Sequence, residues 1–236
     1  MSLLSLDAVD YHLSEGGHDR TLISELSLVF APGSFACLTG PSGCGKTTIL
    51  SLLASVCVPH GGQIVHNGIS VSKLDESARR DWRRSEVGMV FQTCRLIDVL
   101  TVSEHMALVA RLRGQPGAAA EGEALARGLG LEELMNARPG QLSGGEKQRA
   151  ALAQAMAHRP RILLADEPTA ALDHANSKLV AKRLGKYARD NNAIVVAVSH
   201  DQIMIDAADD VFEIDKPAWP CGSSVKIMHH IHDDDD

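Results

Sequence analysis

The sequence predicts an α/β domain built on a mainly parallel sheet, and three observations carry that expectation. Short apolar runs alternate with longer helical patterns. A glycine-rich loop follows one such run, Ser34–Gly40, and leads into a helix. A later run, Ile162–Ala165, delivers the adjacent carboxylates Asp166 and Glu167 at its end.

A chain of 236 residues suffices for one large α/β domain, or for a core domain with one inserted subdomain. Aromatic residues make up only 3% of it, so Leu, Val, Ile and Ala must do most of the packing. The net charge of −7 argues against nucleic acid as the main partner, because backbone binding depends on Lys and Arg. The five cysteines (Cys37, Cys44, Cys57, Cys94, Cys221) are scattered, with no C-x-x-C. That usage suits a reduced cytosolic protein better than a disulfide framework or a zinc site. The N-terminus lacks the basic start and apolar run of a secretory signal, and no apolar stretch approaches the roughly 20 residues that span a bilayer. Action at a membrane is expected to pass through a partner.

In chain order, Ser34–Gly40 reads as a strand and Lys46–Val56 as an apolar-periodic helix closed by Pro59. Gly62–Val71 alternates around Asn67-Gly68, a tight-turn signal for an antiparallel hairpin. Glu86–Gln92 reads as a further strand. From Thr93 to about His158 the pattern is helical and alanine-rich, broken at Gly114–Gly117, and is expected to form an inserted α-helical subdomain. Arg161–Asp166 and Asn192–Ser199 return as buried strands around a helix over Ser177–Arg189. The whole is expected to be one domain over residues 1–216: a parallel core with an antiparallel β subdomain and the helical insertion. Residues 217–236 are a loop-like tail for which the sequence offers no packed core.

Gly40-Pro41-Ser42-Gly43-Cys44-Gly45-Lys46-Thr47 sits between a strand and a helix, where a phosphate loop must lie. Its glycines let successive N–H groups point at one anion, and the helix start adds its positive end. Lys46 is placed to reach the β- and γ-phosphates and the Thr47 hydroxyl to ligate Mg²⁺; Thr48 continues the helix start. Asp166 is the natural Mg²⁺ partner. Glu167, one residue on, is expected to point the other way and address an attacking water. These features predict a P-loop NTPase core that takes a nucleoside triphosphate and Mg²⁺; the family resemblance carried by the next segments implies a RecA-like core and ATP. Cys44 is either an oxidation-sensitive point in the loop or a tolerated small residue.

The segment Leu142-Ser143-Gly144-Gly145-Glu146 opens a helix, with Ser143 as N-cap and Glu146 completing a capping box. Local chemistry leaves two alternatives open: a well-capped helix alone, or a helix start whose bare N–H groups take a phosphate.

Taken together, these segments resemble the nucleotide-binding subunit of an ATP-binding cassette (ABC) transporter, over about Ser5–Asp215. Leu142–Arg149 (Leu-Ser-Gly-Gly-Glu-Lys-Gln-Arg) is similar to that family's signature motif. The resemblance implies that Ser143, Gly144 and Gly145 contact the γ-phosphate bound to an opposite subunit, so that two ATP molecules are sandwiched in a head-to-tail dimer. It further implies a Q-loop glutamine at Gln92, near Mg²⁺, a switch histidine at His200, a D-loop aspartate at Asp173, and an aromatic platform for adenine at Tyr11. Tyr11 equally suits ordinary strand packing. Arg95–His105 lies where the family docks its membrane permease subunit, so a place on the cytoplasmic face of the inner membrane is expected. The runs Ala165–Asp173 and Ser199–Asp209 are similar to the lipoprotein-release, MacB-like and DevA-like group, in which closure drives export or mechanotransmission. A conventional importer, an FtsE-like regulator and a soluble ABC ATPase are the alternatives. The last fits poorly with the acidic charge and the single cassette.

His229, His230 and His232, followed by four aspartates, have the composition of a transition-metal binder, or simply of a polar chain end.

Overall fold

The computed structural model describes residues 3–15, 18–215 and 225–229. Ten strands form two sheets. The first is antiparallel and contains β1 (Leu4–Glu15), β2 (His18–Phe30), β4 (Gly61–His66) and β5 (Ile69–Ser70), in the order β2-β1-β4-β5. The second contains β3 (Phe35–Thr39), β6 (Val87–Val90), β7 (Ile162–Asp166), β8 (Ile194–Val198), β9 (Asp210–Ile214) and β10 (Val225–His229), in the order β10-β9-β3-β8-β7-β6. All of its pairings are parallel except β10 with β9.

Strand alternation divides the core in two. On β3, Phe35 and Cys37 face one way and Ala36 and Leu38 the other; β7 and β8 repeat this with Leu163/Ala165 against Ile162/Leu164, and Val195/Ala197 against Ile194/Val196. One face packs beneath the helices. The other meets the antiparallel sheet and α1 (Lys46–Leu53), burying Leu6, Leu28, Ile49 and Leu53. β7 and β8 are buried at every position, which is why they read as continuous apolar runs.

The expected helical insertion is present as α3 (Val102–Arg113), α4 (Gly117–Gly128) and α5 (Gly144–Met156), following α2 (Glu76–Glu86). The break at Gly114 is a left-handed C-cap (φ 64°) ending α3. The hairpin turns at Asn67 and Gly68, both at positive φ. The predicted helix after β7 is α6 (His174–Asn191), and a short α7 (Gln202–Asp206) follows β8.

Three differences from the sequence expectation have physical causes. β1 and β2 lack clean alternation because the ladder shifts register between Leu6 and Val9, Val9 and Tyr11, and Tyr11 and His12, with Ala8 and Glu25 at positive φ. α2 carries no buried residue and so no apolar period. Asp75 caps it at the Ala78 N–H (2.8 Å), and Glu76 pairs with Arg79 and Arg83 along it. The expected strand over Glu86–Gln92 therefore begins only at Val87. Finally, part of the tail joins the sheet: β10 pairs Val225 with Ile214 and His229 with Asp210. His230, His232 and the four terminal aspartates lie outside the described residues.

The helical insertion is set against the core by a close approach at Gly88 of β6. A Cβ there would stand 2.4 Å from the Ala155 carbonyl oxygen of α5 and 2.7 Å from the Pro160 ring. Gly88→Ala is expected to destabilise the fold by about 1–3 kcal/mol, the usual cost of overpacking. Denaturant unfolding checks this, and an unchanged midpoint would contradict the packing assigned to α5.

Candidate functional site

Parallel order brings the C-terminal ends of β3, β8, β7 and β6 to one edge of the sheet, and the loops leaving them enclose a cleft of about 620 Å³. Its walls come from Ser42, Gly43, Gly45, Lys46, Thr47 and Thr48 after β3, from Asp166 and Glu167 after β7, from Val198 and His200 after β8, and from Gln92 after β6. The catalytic and metal-binding residues expected from sequence, together with the inner part of the phosphate loop, therefore share one cleft. Its size is that of an ordinary small-ligand site.

The loop holds its curl through left-handed glycines. Gly45 (φ 99°) precedes α1, and a Cβ on Gly40 (φ 137°) would lie 2.1 Å from the Ile214 carbonyl oxygen. Lys46 is 7% exposed and folds back over the loop, its Nζ donating to the carbonyls of Gly40 (2.7 Å) and Pro41 (2.9 Å). Gly40 and Pro41 thus shape the loop from outside the cleft. The Cys44 side chain turns into the core, 1% exposed among apolar neighbours, which is the tolerated-residue alternative rather than an exposed redox point.

Thr47 Oγ1 donates to Asp166 Oδ2 at 3.0 Å, joining the helix start to the end of β7. Glu167 departs from expectation. It leaves β7 at φ 49°, so strand alternation stops at Asp166 and both carboxylates line the same cleft. Glu167 Oε1 lies 3.6 Å from His200 Nε2. Burial pushes the Asp166 carboxyl above its usual range, against the Thr47 hydrogen bond and the Lys46 charge. Burial raises Glu167 likewise, opposed mainly by His200. The hydroxyl of Thr47, the Asp166 carboxylate and the Gln92 amide form an all-oxygen donor set of the kind a hard divalent cation takes.

Gln148 sits inside the signature run and reads from the sequence as one more helical residue. It is 3% exposed. Its Nε2 donates to the Glu167 carbonyl at 2.6 Å and its Oε1 accepts from the Ala171 N–H at 3.1 Å. A polar residue on the buried face of an amphipathic helix was the available signal. One side chain on α5 thereby holds both the left-handed turn at Glu167 and the loop leading to Asp173.

Other expected residues lie elsewhere. Ser143 caps α5 with the predicted box, Ser143 N–H to Glu146 Oε2 at 2.7 Å and Glu146 N–H to Ser143 Oγ at 3.3 Å. Ser143, Gly144 and Gly145 do not line the cleft, nor does Asp173, which caps α6 at the Asn176 N–H (2.8 Å). Tyr11 is also absent from the lining. Its ring packs at 5.3 Å from His60, with the Cys57 thiol raising its hydroxyl pKa through a hydrogen bond, while Leu13 and Leu22 edge the cleft instead. Within the expected docking stretch, His105 is 1% exposed and faces inward, its Nε2 accepting from the Ile97 N–H at 2.8 Å. Ile97 and Val99, 46% and 70% exposed, form the outer surface of that loop.

Raised carboxyl pKa values give a pH signature. Each contributes stability that is complete below the ordinary carboxylate pKa and is lost as pH rises through the raised value. Without nucleotide at pH 7, Asp166→Asn and Glu167→Gln are each expected to melt higher than the parent, by about 2–4 °C for every kcal/mol relieved. The gap should close as the pH is lowered toward the carboxylate range. Thermal melts across pH check this, and a parent that melts higher at pH 7 would refute it.

Residues 23–170 match the family profile described as ABC transporter. The chain is 40% identical over 216 residues to Rv2564 of Mycobacterium tuberculosis, an uncharacterized ABC transporter ATP-binding protein, covering 91% of this chain and 65% of that one. It therefore spans a little less than two-thirds of that relative's length. It is 36% identical over 183 residues to the ABC transporter ATP-binding protein YxdL of Bacillus subtilis, covering 77% of this chain and 71% of that one. The fold superposes on the dimeric structure of MJ0796, a bacterial ABC transporter cassette, with a TM-score of 0.86 at 27% identity, covering 97% of this chain and 100% of that one. A dimeric post-hydrolysis state of MJ0796 bound to ADP and Pi superposes with a TM-score of 0.85 at 28% identity, covering 97% and 100%. With its phosphate loop, paired carboxylates and signature helix in this arrangement, the chain belongs to the ABC transporter family and has the fold of its ATPase cassette.

Proposed function

We propose that this chain binds and hydrolyses ATP as one half of a head-to-tail homodimer, and that closure of the pair drives a membrane partner. One observation carries the dimer: Lys46, Thr47, Asp166, Glu167 and His200 line the cleft, whereas Ser143, Gly144, Gly145 and Asp173 sit outside it. A second copy can bring its signature helix start to the first copy's cleft, where N–H groups and the helix dipole meet the γ-phosphate.

In this scheme the phosphate loop cradles the triphosphate, and Lys46 exchanges its carbonyl partners for phosphate oxygens. Thr47, Asp166 and Gln92 hold Mg²⁺, which when bound supplies charge neutralisation at the phosphates. Glu167 takes a proton from the attacking water, a task suited to a carboxyl whose pKa burial has raised. His200 holds the γ-phosphate from the β8 side. Leu13 and Leu22 offer the base an apolar edge; adenine stacking on Tyr11 requires its ring to leave His60.

The membrane partner is proposed to be of the MacB or lipoprotein-release type, engaged for export or mechanotransmission at the cytoplasmic face of the inner membrane. The residue runs at Ala165–Asp173 and Ser199–Asp209 support the type. Among the described residues no helix is long and apolar enough to cross a membrane. Exposed Ile97, Val99 and Leu112, close in sequence to Gln92 and on α3, support docking there. Purification from native membranes with nucleotide tests the type: a few-helix partner with a large periplasmic domain supports it, and a many-helix permease refutes it.

Glu167→Gln is expected to retain ATP binding while slowing turnover by at least about 100-fold, the low end for loss of a general base. It should also accumulate an ATP-dependent dimer in gel filtration; near-normal hydrolysis would exclude Glu167 as the base. Gln148→Ala is expected to lower kcat by about tenfold or more with the KM for ATP little changed, because it frees the Glu167 turn without touching nucleotide. Gln148→Glu, which sets a second acceptor against the Glu167 carbonyl, should be impaired at least as much. Steady-state kinetics of the three proteins decide this; a KM effect without a kcat effect would remove Gln148 from the positioning role.

A further inference from the structure

α6 gathers its basic residues on one exposed face. Lys178, Lys182, Lys186 and Arg189 are all exposed and follow one another at helical spacing, within a sector of about 80° around the axis. The buried residues Val180, Ala181, Leu184 and Ala188 lie on the opposite side. Little among the described residues neutralises this stripe. Lys178 and Lys182 make no ion pair there, Lys186 reaches only Asp190 one turn on (3.0 Å), and Arg189 stands 3.8 Å from Asp209. Like charges four residues apart weaken a helix, so the stripe calls for an anionic partner.

The sheet delivers one. β10 runs antiparallel to β9 and pairs His229 with Asp210. Asp209, the residue before, is the one that faces Arg189. The chain therefore leaves β10 close to the C-terminal end of the stripe. Next in sequence come His230-Ile231-His232 and then Asp233–Asp236. At about 3.3 Å per extended residue, the first of these aspartates reaches about 13 Å from His229 and the last about 23 Å. Lys182 and Lys178 lie about 11 and 17 Å along α6 from Arg189. Length and charge both match. The other dense basic group, Arg79, Arg80 and Arg83 on α2, pairs with Glu76 of its own helix. It packs beside β6, at the opposite edge of the sheet from β10, about 24 Å away at ordinary strand spacing.

We propose that Asp233–Asp236 dock on the Lys178–Arg189 stripe of the same molecule, as an electrostatic clasp that holds β10 on the edge of the sheet. Each run of like charge is unfavourable alone, and each supplies the counter-charge of the other. The clasp lies on the far side of α6 from the core and involves neither nucleotide nor membrane partner.

Zero-length carbodiimide cross-linking of the full chain tests this, because the reagent joins as an amide only a carboxylate and an amine already in contact. An equal mixture of unlabelled and isotope-labelled chains at low ionic strength separates links within one molecule from links between two. Mass spectrometry is expected to find Asp233–Asp236 joined to Lys178, Lys182 or Lys186 of the same chain. These links should be lost at about 1 M salt, where charges are screened over about 3 Å. Amide hydrogen exchange gives a second reading. Replacing the four aspartates by Asn, or combining Lys178→Gln, Lys182→Gln and Lys186→Gln, is expected to speed exchange over Val225–His229 by about threefold or more, as for the loss of a few exposed ion pairs. Both sets together should add nothing further, since they remove the same contact. Links to lysines elsewhere, or no links, overturn the clasp. Links only between differently labelled chains overturn it in favour of a second copy. Exchange over Val225–His229 that is unchanged in both variants overturns the hold on β10.

Discussion

Parallel pairing of β3 with β8, β8 with β7, and β7 with β6 makes four successive loops leave the sheet at the same edge, and everything at the cleft depends on it. The hydrogen bond from Thr47 to Asp166 is the local expression of this constraint. It joins residues 119 positions apart in the chain that the sheet has brought within 3.0 Å. Were any of these strands antiparallel, its loop would emerge at the opposite edge and the carboxylates would lose the phosphate loop. The apolar strands that hold this order are buried on both faces, so the arrangement rests on the bulk of the hydrophobic core rather than on the polar groups it displays.

On that frame the cleft is electrostatically tense. Two carboxyls share it, and burial raises the pKa of both. Lys46 is tied to backbone carbonyls of its own loop. Glu167 holds a left-handed conformation that a non-glycine residue seldom adopts, and Gln148 secures it from α5. The cation and triphosphate proposed for this cleft carry charges that would relieve this arrangement, and the strain is concentrated where the chemistry is proposed to occur. Because Gln148 also holds the Ala171 N–H, the helix that begins at Ser143 is mechanically connected to the Glu167 turn and to the loop that leads to Asp173.

A second cavity of about 260 Å³ opens between β6, α3 and α5, where Arg113 Nη1 and the His158 ring nitrogens are buried without a hydrogen-bond partner. β6 runs between the two: Val87–Val90 lines the smaller cavity, and Gln92, two residues beyond, lines the larger.

The sequence by itself determined the local chemistry: the phosphate loop, the acidic strand end, the capped signature helix and the buried strands. These depend on short-range rules of glycine conformation, N-capping and strand alternation that operate within a few residues. Gln92 and His200 each follow a strand of the parallel sheet, and the structure brings both to the cleft. Only the tertiary structure decided what depends on long-range packing. Bulges concealed β1 and β2, the charged α2 had no apolar period to show, and β10 found its place only by pairing with β9. Strand alternation predicted opposite directions for Asp166 and Glu167, and a single left-handed residue turned both into one cleft. His105, expected on the docking surface, and Gln148, which reads as one more helical residue, took their places only when folding buried them against a loop and a backbone turn. The role of a buried polar side chain is set by the partner that folding brings to it, and that partner lies far away in the chain.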